Sequence, residues 1–600
     1  MSDNYLYDLF INEVKCATNR GIENVVGVNT TKVYNAKYYG ATGDGLTDDA
    51  TALNQLIQTL YANGGGTIYL PAGTYMLDAQ LTWKSNVSLI GDGVGVTIIK
   101  PRKVDAEAEN FPAIGYLESD GYTKANPMVN CRFCDFTIDG EEVVVGTYNT
   151  KPKGIFILHM KDCSFERLAI LNTGATGLGI DFLQNVTISK IYCYNCGRAY
   201  VVTDEETVAG GAGIGIATMG GPVESCVISD CITEGCGNYG IFVEGTNQWY
   251  LYTDENGDMA TESHYTIANC HCINGRNYGI VVKGTHNVVV ANNICTNNAR
   301  DGFAILGREY TYSKNITFTN NQSVNNGAHG FRIHDYFNNS KNITINGNFV
   351  DGNAGDGFNL YANTTVSNLT ISDNTFSNNG TSGIYLGEMT GNSHDITISG
   401  NHVYNNTSDG ILISYPISDS SIVNNVIRNN VNRGIAFADK VYTNIDMYGN
   451  VIRGNAIRDW HINGTFTGLK PGNQAVRVLY SPELKWQPGL LDNTGVLVES
   501  DISFVTEDYF YCGGAQWVCF DRGELVAGTG NRIVGASFYT ATKEHVSREY
   551  AANTSTSLAK FNVPTNAAYV RFRIGYTESI TDKDAVLAEV NILMSATDRT

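Results

Sequence analysis

Glycine recurs on a nearly fixed beat through the middle of this 600-residue chain, and alternating apolar residues follow it each time. The motif reads Gly240-Ile-Phe-Val, Gly279-Ile-Val-Val, Gly302-Phe-Ala-Ile, Gly330-Phe-Arg-Ile, Gly357-Phe-Asn-Leu, Gly383-Ile-Tyr-Leu, Gly410-Ile-Leu-Ile and Gly434-Ile-Ala-Phe. From Gly279 the steps are 23, 28, 27, 26, 27 and 24 residues. Asparagine keeps the same beat in a second register: Asn293, Asn321, Asn348, Asn374, Asn401, Asn425 and Asn450 are spaced 28, 27, 26, 27, 24 and 25 apart. Self-similarity at such a period marks a stacked repeat, in which no single coil buries its apolar face alone. Each coil reads as strand, Asn turn, strand, Gly turn, strand. Asn and Gly both tolerate the left-handed backbone region, and a stacked Asn side chain can bond the backbone of the next coil. The pattern predicts a right-handed parallel β-helix of about a dozen coils over residues 64–460.

Side chains alternate across a strand, so the first and third residues after each repeat Gly point inward and the second and fourth outward. The inward pairs are apolar throughout. The outward strip reads Asp181, Phe242, Val281, Ala304, Arg332, Asn359 and Tyr385 in one row. The other row is Leu183, Glu244, Lys283, Leu306, His334, Tyr361 and Gly387. Two carboxylates on such a strip, Asp181 and Glu244, can serve glycosidic hydrolysis as acid and as base or nucleophile. Lys283, Arg332 and His334 can instead neutralise a uronate or phosphate and assist proton abstraction. Asn359, Tyr361 and Tyr385 supply sugar contacts. The plainer alternative is a solenoid's outer face, which is polar in any case. Asp356, just before its Gly, is expected in a turn away from the strip. Two intervals break the rhythm: the stretch before Gly221 carries Thr203-Asp204-Glu205-Glu206, and the 39 residues from Gly240 to Gly279 carry Trp249 and Tyr250. Insertions in solenoids map to loops on one face, often the binding face, so Trp249 and Tyr250 join the substrate-binding candidates.

Composition narrows the partners. Lys and Arg number 40 against 60 Asp and Glu, a formal charge of -20, which repels phosphate backbones and argues against nucleic acid. No apolar run is long enough to insert into a bilayer, and MSDNYLYDLF lacks the basic segment and apolar stretch of a signal peptide, which predicts synthesis and folding in a cytoplasm. Of the 14 cysteines, 11 fall inside the repeats and read as inward stacked thiols. Cys193-Tyr-Asn-Cys196 has no second pair at zinc spacing, so no metal and no cofactor is expected.

Three further segments organise the chain. Residues 1–35 carry Leu6, Leu9, Phe10 and Val14 at near-helical spacing and read as a docking segment and linker. Tyr39-Gly40-Ala41-Thr42-Gly43-Asp44-Gly45-Leu46-Thr47-Asp48-Asp49 precedes an amphipathic run, Ala50 to Tyr61, with Thr47 as N-cap, and then Gly64-Gly65-Gly66-Thr67-Ile68-Tyr69-Leu70-Pro71. This segment resembles the N-terminal cap of the pectate-lyase-like β-helix superfamily, which implies a capping helix. Lyases, glycoside hydrolases, mannuronan C-5-epimerases and phage tail spikes share that fold. The epimerase motif "YGFDPH" is only half kept at Leu178-Gly179-Ile180-Asp181-Phe182-Leu183: Leu183 replaces the catalytic histidine, which argues against mannuronan epimerisation or lysis. From residue 476 the repeats stop. Period-2 alternation with Trp486, Trp517, Phe520 and Tyr569-Val570-Arg571-Phe572 predicts an antiparallel β-sandwich over 476–600. It resembles the lectin-like jelly rolls ending phage tail proteins, which makes Trp517 a carbohydrate contact.

The domain reading is thus 1–35, a capped β-helix over 36–475, and a carbohydrate-binding-like sandwich over 476–600, all-β apart from the cap. The order resembles a bacteriophage tail spike or tail appendage. It implies a homotrimer on the virion tail that binds other tail proteins and depolymerises a bacterial surface polysaccharide, a cell-wall glycan or teichoic acid. A non-catalytic receptor-binding adhesin and a free bacterial lyase or hydrolase are the alternatives.

Overall fold

The computed structural model describes residues 33–102, 111–116, 126–143, 152–198, 211–218, 225–245, 264–307, 313–335, 340–362, 365–389 and 393–462, followed by shorter stretches between 465 and 596. Two units make up the chain: Met1–Thr370 with Met389–Gly391, and Ile371–Glu388 with Asn392–Thr600. In the first, each described strand pairs in parallel with the strand one coil on. Val33–Asn35 lies on Gly66–Leu70, Ile155–Leu171 on Leu178–Tyr194, and Phe331–Asp335 on Phe358–Ala362. The inward row Ile155, Leu178, Ile214, Ile241, Ile280, Phe303, Phe331 and Phe358 is at most 1% exposed, as the alternation requires. Rings stack where they fall on adjacent coils: Phe303 and Phe331 lie 4.7 Å apart with planes at 10°. Burying such a side chain is worth about 1.5–3 kcal/mol, so each inward pair is the main stabilising term of its coil.

The repeat glycines are not in left-handed turns. A methyl group on Gly177 would lie 2.7 Å from the Gly213 carbonyl oxygen and 2.8 Å from the Cys196 sulfur, and one on Gly330 would lie 2.7 Å from the Gly357 oxygen. Close approach of one coil to the next, and not backbone freedom, therefore demands glycine there. The asparagines divide the labour in pairs. In Asn292-Asn293, Asn320-Asn321 and Asn424-Asn425 the first residue takes the left-handed conformation, with φ of 58°, 55° and 57°. The second is buried and joins a ladder: Asn293 donates from its backbone N and Nδ2 to Asn321 Oδ1 at 2.9 and 3.0 Å, and Asn321 repeats this to Asn348. A parallel ladder runs Asn298, Asn326, Asn353. Upstream a thiol takes the same place, since the Cys270 N–H donates to Asn293 Oδ1 at 2.9 Å. All eleven described cysteines are buried and free.

Before the first coils, helix α1 (Ala50–Ala62) buries Leu53, Leu56, Ile57 and Leu60 on one face. Its N-cap is Asp49 and not Thr47. Thr47 instead donates its N–H and hydroxyl to Asp44, while Asp49 accepts the N–H groups of Thr42 and Gly43. In the second unit parallel pairing runs from Thr375–Ser377 on His402–Tyr404 to Val441–Tyr448 on Lys470–Pro471. From Val476 the pairing is antiparallel, beginning with Val476–Leu479 on Asn591–Ala596.

Candidate functional site

Backbone register aligns the outward rows of the first unit. The row two residues after the repeat Gly is Phe156, Gly179, Gly215, Phe242, Val281, Ala304, Arg332, Asn359. The row four residues after it is Leu158, Asp181, Ala217, Glu244, Lys283, Leu306, His334, Tyr361. Asp181 is therefore in the second row and not the first: Gly177, not Gly179, is the repeat glycine of its coil, which puts Leu183 beyond the strip. A third row lies one residue before each repeat Gly: Lys153, Thr176, Ala212, Tyr239, Tyr278, Asp301, His329, Asp356. Its side chains meet the first row. Tyr239 stacks on Phe242 at 4.4 Å, Lys153 Nζ lies 3.3 Å from the Phe156 ring centre, and Asn359 Nδ2 donates to Asp356 Oδ2 at 2.7 Å. Asp356 is thus part of the strip, contrary to the expectation that it turns away.

Across two adjacent coils these rows hold only Thr176, Gly179, Asp181, Ala212, Gly215 and Ala217, between the rings of Phe156 on one side and Tyr239 and Phe242 on the other. Apart from Asp181 the side chains there are short, and their neighbours close in on them. A methyl on Gly215 would meet Thr176, Ala212 and Phe242 at 3.3, 3.7 and 3.9 Å, and one on Gly179 would lie 3.5 Å from Lys153 Nζ. Asp181 and Glu244 stand two coils apart in one row, about 10 Å between their α-carbons at the usual strand spacing. Burial pushes the Asp181 carboxyl up to about 6; Lys153 opposes that shift and Glu244 adds to it. Burial lowers Lys153, against the pull of Asp181 and Glu244. Asp181 and Lys153 thus shape each other's protonation, as neighbouring groups in a low-dielectric site do. Lys153 is one of the residues that the repeat reading missed, with Asp301 and His329. Extending the glycine beat one coil upstream to Gly154, and reading the position before each Gly, would have found them.

Farther along, the outward rows are not uniformly solvated. Phe242, Val281, Ala304 and Leu306 form a buried cluster with Ala212, Tyr239 and Tyr278. Beyond it Arg332 Nη1 faces the fully buried Asp301 at 3.6 Å, and the His329 N–H donates to Asp301 Oδ1 at 2.8 Å. His329 Nδ1 accepts from the Asp356 N–H at 2.9 Å, so its proton sits on Nε2, and burial lowers its basicity. His334, 3% exposed, lies 5.6 Å from the Tyr361 ring. Lys283 is part-buried and pairs in register with Glu244. Tyr385 belongs to the second unit, where its hydroxyl accepts from Ser414 Oγ at 3.2 Å. Trp249, Tyr250 and Asp204 to Glu206 lie outside the described residues. Trp517 falls in the strand Ala515–Asp521, opposite Asn562.

Residues 33–255 match the family described as rhamnogalacturonase A/epimerase, pectate lyase-like. Residues 253–367 and 336–475 match the right-handed β-helix region. Residues 33–475 thus match pectate-lyase-like and right-handed β-helix proteins from end to end. It is 50% identical over 74 residues to the mannuronan C5-epimerase AlgE2 of Azotobacter vinelandii, a stretch covering 11% of this chain and 7% of that protein. The pre-neck appendage protein of Bacillus phage B103 is 25% identical over 272 residues, 44% of this chain and 26% of its own length. The chain thus spans well under two thirds of these relatives. Among solved structures, a tailspike protein of E. coli bacteriophage HK620 superposes with a TM-score of 0.57 over 91% of this chain and 93% of its own, at 12% identity. A second structure of that tailspike contains a pentasaccharide.

Proposed function

We propose that this chain is a phage tail spike-like depolymerase that grips a bacterial surface polysaccharide along the first unit's outer face and hydrolyses it at the site between Phe156 and Phe242. The observation that carries the reading is the placement of Asp181 and Glu244 on one row, separated by a coil reduced to Gly215 and Ala217. A sugar ring spans such a gap. Its two-coil spacing suits the wider carboxyl separation, about 6.5–9.5 Å, of inverting hydrolysis, which leaves room for the attacking water. Asp181, with its pKa near 6, is the general acid that protonates the leaving oxygen. Glu244 is the base that activates water. Lys153 keeps the acid's pKa from rising further with burial and holds a substrate oxygen. Lys283, Arg332, His334, Asn359 and Tyr361 bind the chain on one side of the cleaved bond; Arg332, occupied by Asp301, acts as a binding rather than a bond-breaking group. The phage relative and the tailspike likeness support a place on the virion tail, with other tail proteins as partners, and the pentasaccharide complex supports a glycan ligand.

The finer organisation belongs to the same reading: α1 covers the first coil, residues 476–600 form a lectin-like sandwich with Trp517 among its sugar contacts, Trp249, Tyr250 and Tyr385 add sugar contacts, and three copies associate. Two rows of uncharged residues support association. Thr187, Ser189, Val227, Ser229, Thr266, Ala268, Val289, Ala291, Thr317, Thr319, Thr344 and Asn346 point outward in register on one sheet with no charge among them. Copies that each carry -20 can meet there without like-charge contact. The test of the activity is product analysis on purified wall glycans. New reducing ends without ultraviolet-absorbing uronates support hydrolysis; unsaturated products mean β-elimination; tight binding with no new ends means an adhesin.

A further inference from the structure

In the second unit the strands His402–Tyr404, Val426–Arg428 and Val451–Arg453 stack in parallel, with His402, Val426 and Val451 in one column and Tyr404, Arg428 and Arg453 in the next. Val403 and Ile427, between them, are fully buried, so both columns face outward. The Arg428 guanidinium carbon lies 4.9 Å from the centre of the Tyr404 ring. Two guanidinium groups therefore leave the sheet one coil apart, about 4.8 Å at the backbone.

Arg300 likewise lies over a ring, 5.0 Å from the centre of Tyr278, but most of the other described arginines have a polar partner. Arg102 is held by Asp78, Arg132 by Glu166, Arg167 by Asp135 and Arg433 by Asp409. Arg332 faces Asp301, while Arg198 and Arg276 are held by backbone carbonyls. Among the described residues Arg428 and Arg453 have no carboxylate, carbonyl or hydroxyl bonded to them. In a protein with 60 acidic residues, two stacked and uncompensated arginines repel each other and are unexplained by folding. An external anion would satisfy both.

We propose that Tyr404, Arg428 and Arg453 form a binding site for a linear polyanion, a polymer carrying a phosphodiester or carboxylate in each repeat, laid along the stack of coils. Planar guanidinium forks bind either anion in two-point fashion, and the overall charge of -20 makes such a local cationic site necessary for any anionic polymer to dock. Half-buried Tyr404 and Val426 and exposed Val451 offer the apolar surface on which a glycerol or sugar backbone rests. The site shares no residue with the Asp181 site, so it stands whether or not that one cleaves.

The test uses the full chain and three probes, poly(glycerol phosphate), oligomannuronate and neutral dextran, with calorimetry at low and raised salt. Binding of at least one polyanion is expected, weakened by salt and by at least about tenfold in Arg428→Gln/Arg453→Gln. Arg428→Lys/Arg453→Lys recovers part of it, because the charge remains while the fork is lost. Which polyanion responds separates a phosphate from a uronate source. The thermal melt of each variant verifies that the coils persist. The proposal is overturned if the parent binds neither polyanion, if the Gln variant binds as the parent does, or if the Gln variant changes oligomeric state alone, which would make this an inter-copy contact.

Discussion

Burial sets the acid–base poise of Asp181, and one residue tempers it. Lys153 opposes the burial that raises Asp181 to about 6, so Lys153→Met removes an opposing charge and moves that pKa further up. If Asp181 must be protonated to act, the parent's rate falls as pH rises through about 6, and the falling limb of the Lys153→Met profile moves to higher pH. A limb that stays in place would mean that Asp181 does not set it. The ladders are tested at the same scale. Asn326 accepts from the Asn298 backbone at 3.0 Å and donates to the Cys295 carbonyl at 3.1 Å, both buried. Asn326→Ala leaves the buried Asn298 N–H without its acceptor and should cost about 1–3 kcal/mol in denaturant unfolding. Asn325→Gly, at a left-handed position of φ 54°, should stay within about 0.5 kcal/mol. The beat of asparagines was legible in the sequence. Which member of each pair turns and which stacks was not, because both are Asn and only burial separates them.

Among the elements, the coil was the most legible unit, since apolar alternation after each Gly fixes which residues face inward. The outer face was read less well, for two physical reasons. In sequence a repeat glycine reads as a turn residue, whereas it marks close coil-to-coil contact, which puts the position before it on the strip, and with it Lys153, Asp301, His329 and Asp356. The ends of the array also lack the regular beat: the coil holding Asp181 has two candidate glycines, and only backbone pairing chooses Gly177. The two uncharged rows support a prediction at this scale. Val289, 41% exposed in the middle of one of them, replaced by Glu should convert the expected trimer to monomer in light scattering with the melting temperature of the coils unchanged. Phe349→Glu, on a different sheet and equally exposed at 41%, should leave the trimer intact. A parent that is already monomeric at micromolar concentration would remove the interface.

For the whole molecule, the repeated coils make stability local, because each coil contacts its neighbours. Parallel pairing ends at Lys470–Pro471 and antiparallel pairing begins at Val476, so a chain ending at residue 475 should keep the coils' cooperative melt and any cleavage while retaining less glycan. Aggregation of that shorter chain would mean that the solenoid depends on residues 476–600 for its folding. The sequence period changes at 476, close to where strand pairing turns from parallel to antiparallel. The chemistry was only partly visible: Asp181 and Glu244 were nameable as acids, but the two glycines, the two alanines and the lysine that surround them emerge only when the coils are placed in register. The most direct measurement is therefore end-group release from the natural wall glycan by the parent, Asp181→Asn and Glu244→Gln, with binding measured in parallel. Losses of about two to four orders of magnitude in rate with binding and melting temperature preserved are expected for both variants. Cleavage at the parent's rate by either one would contradict a catalytic pair at this site.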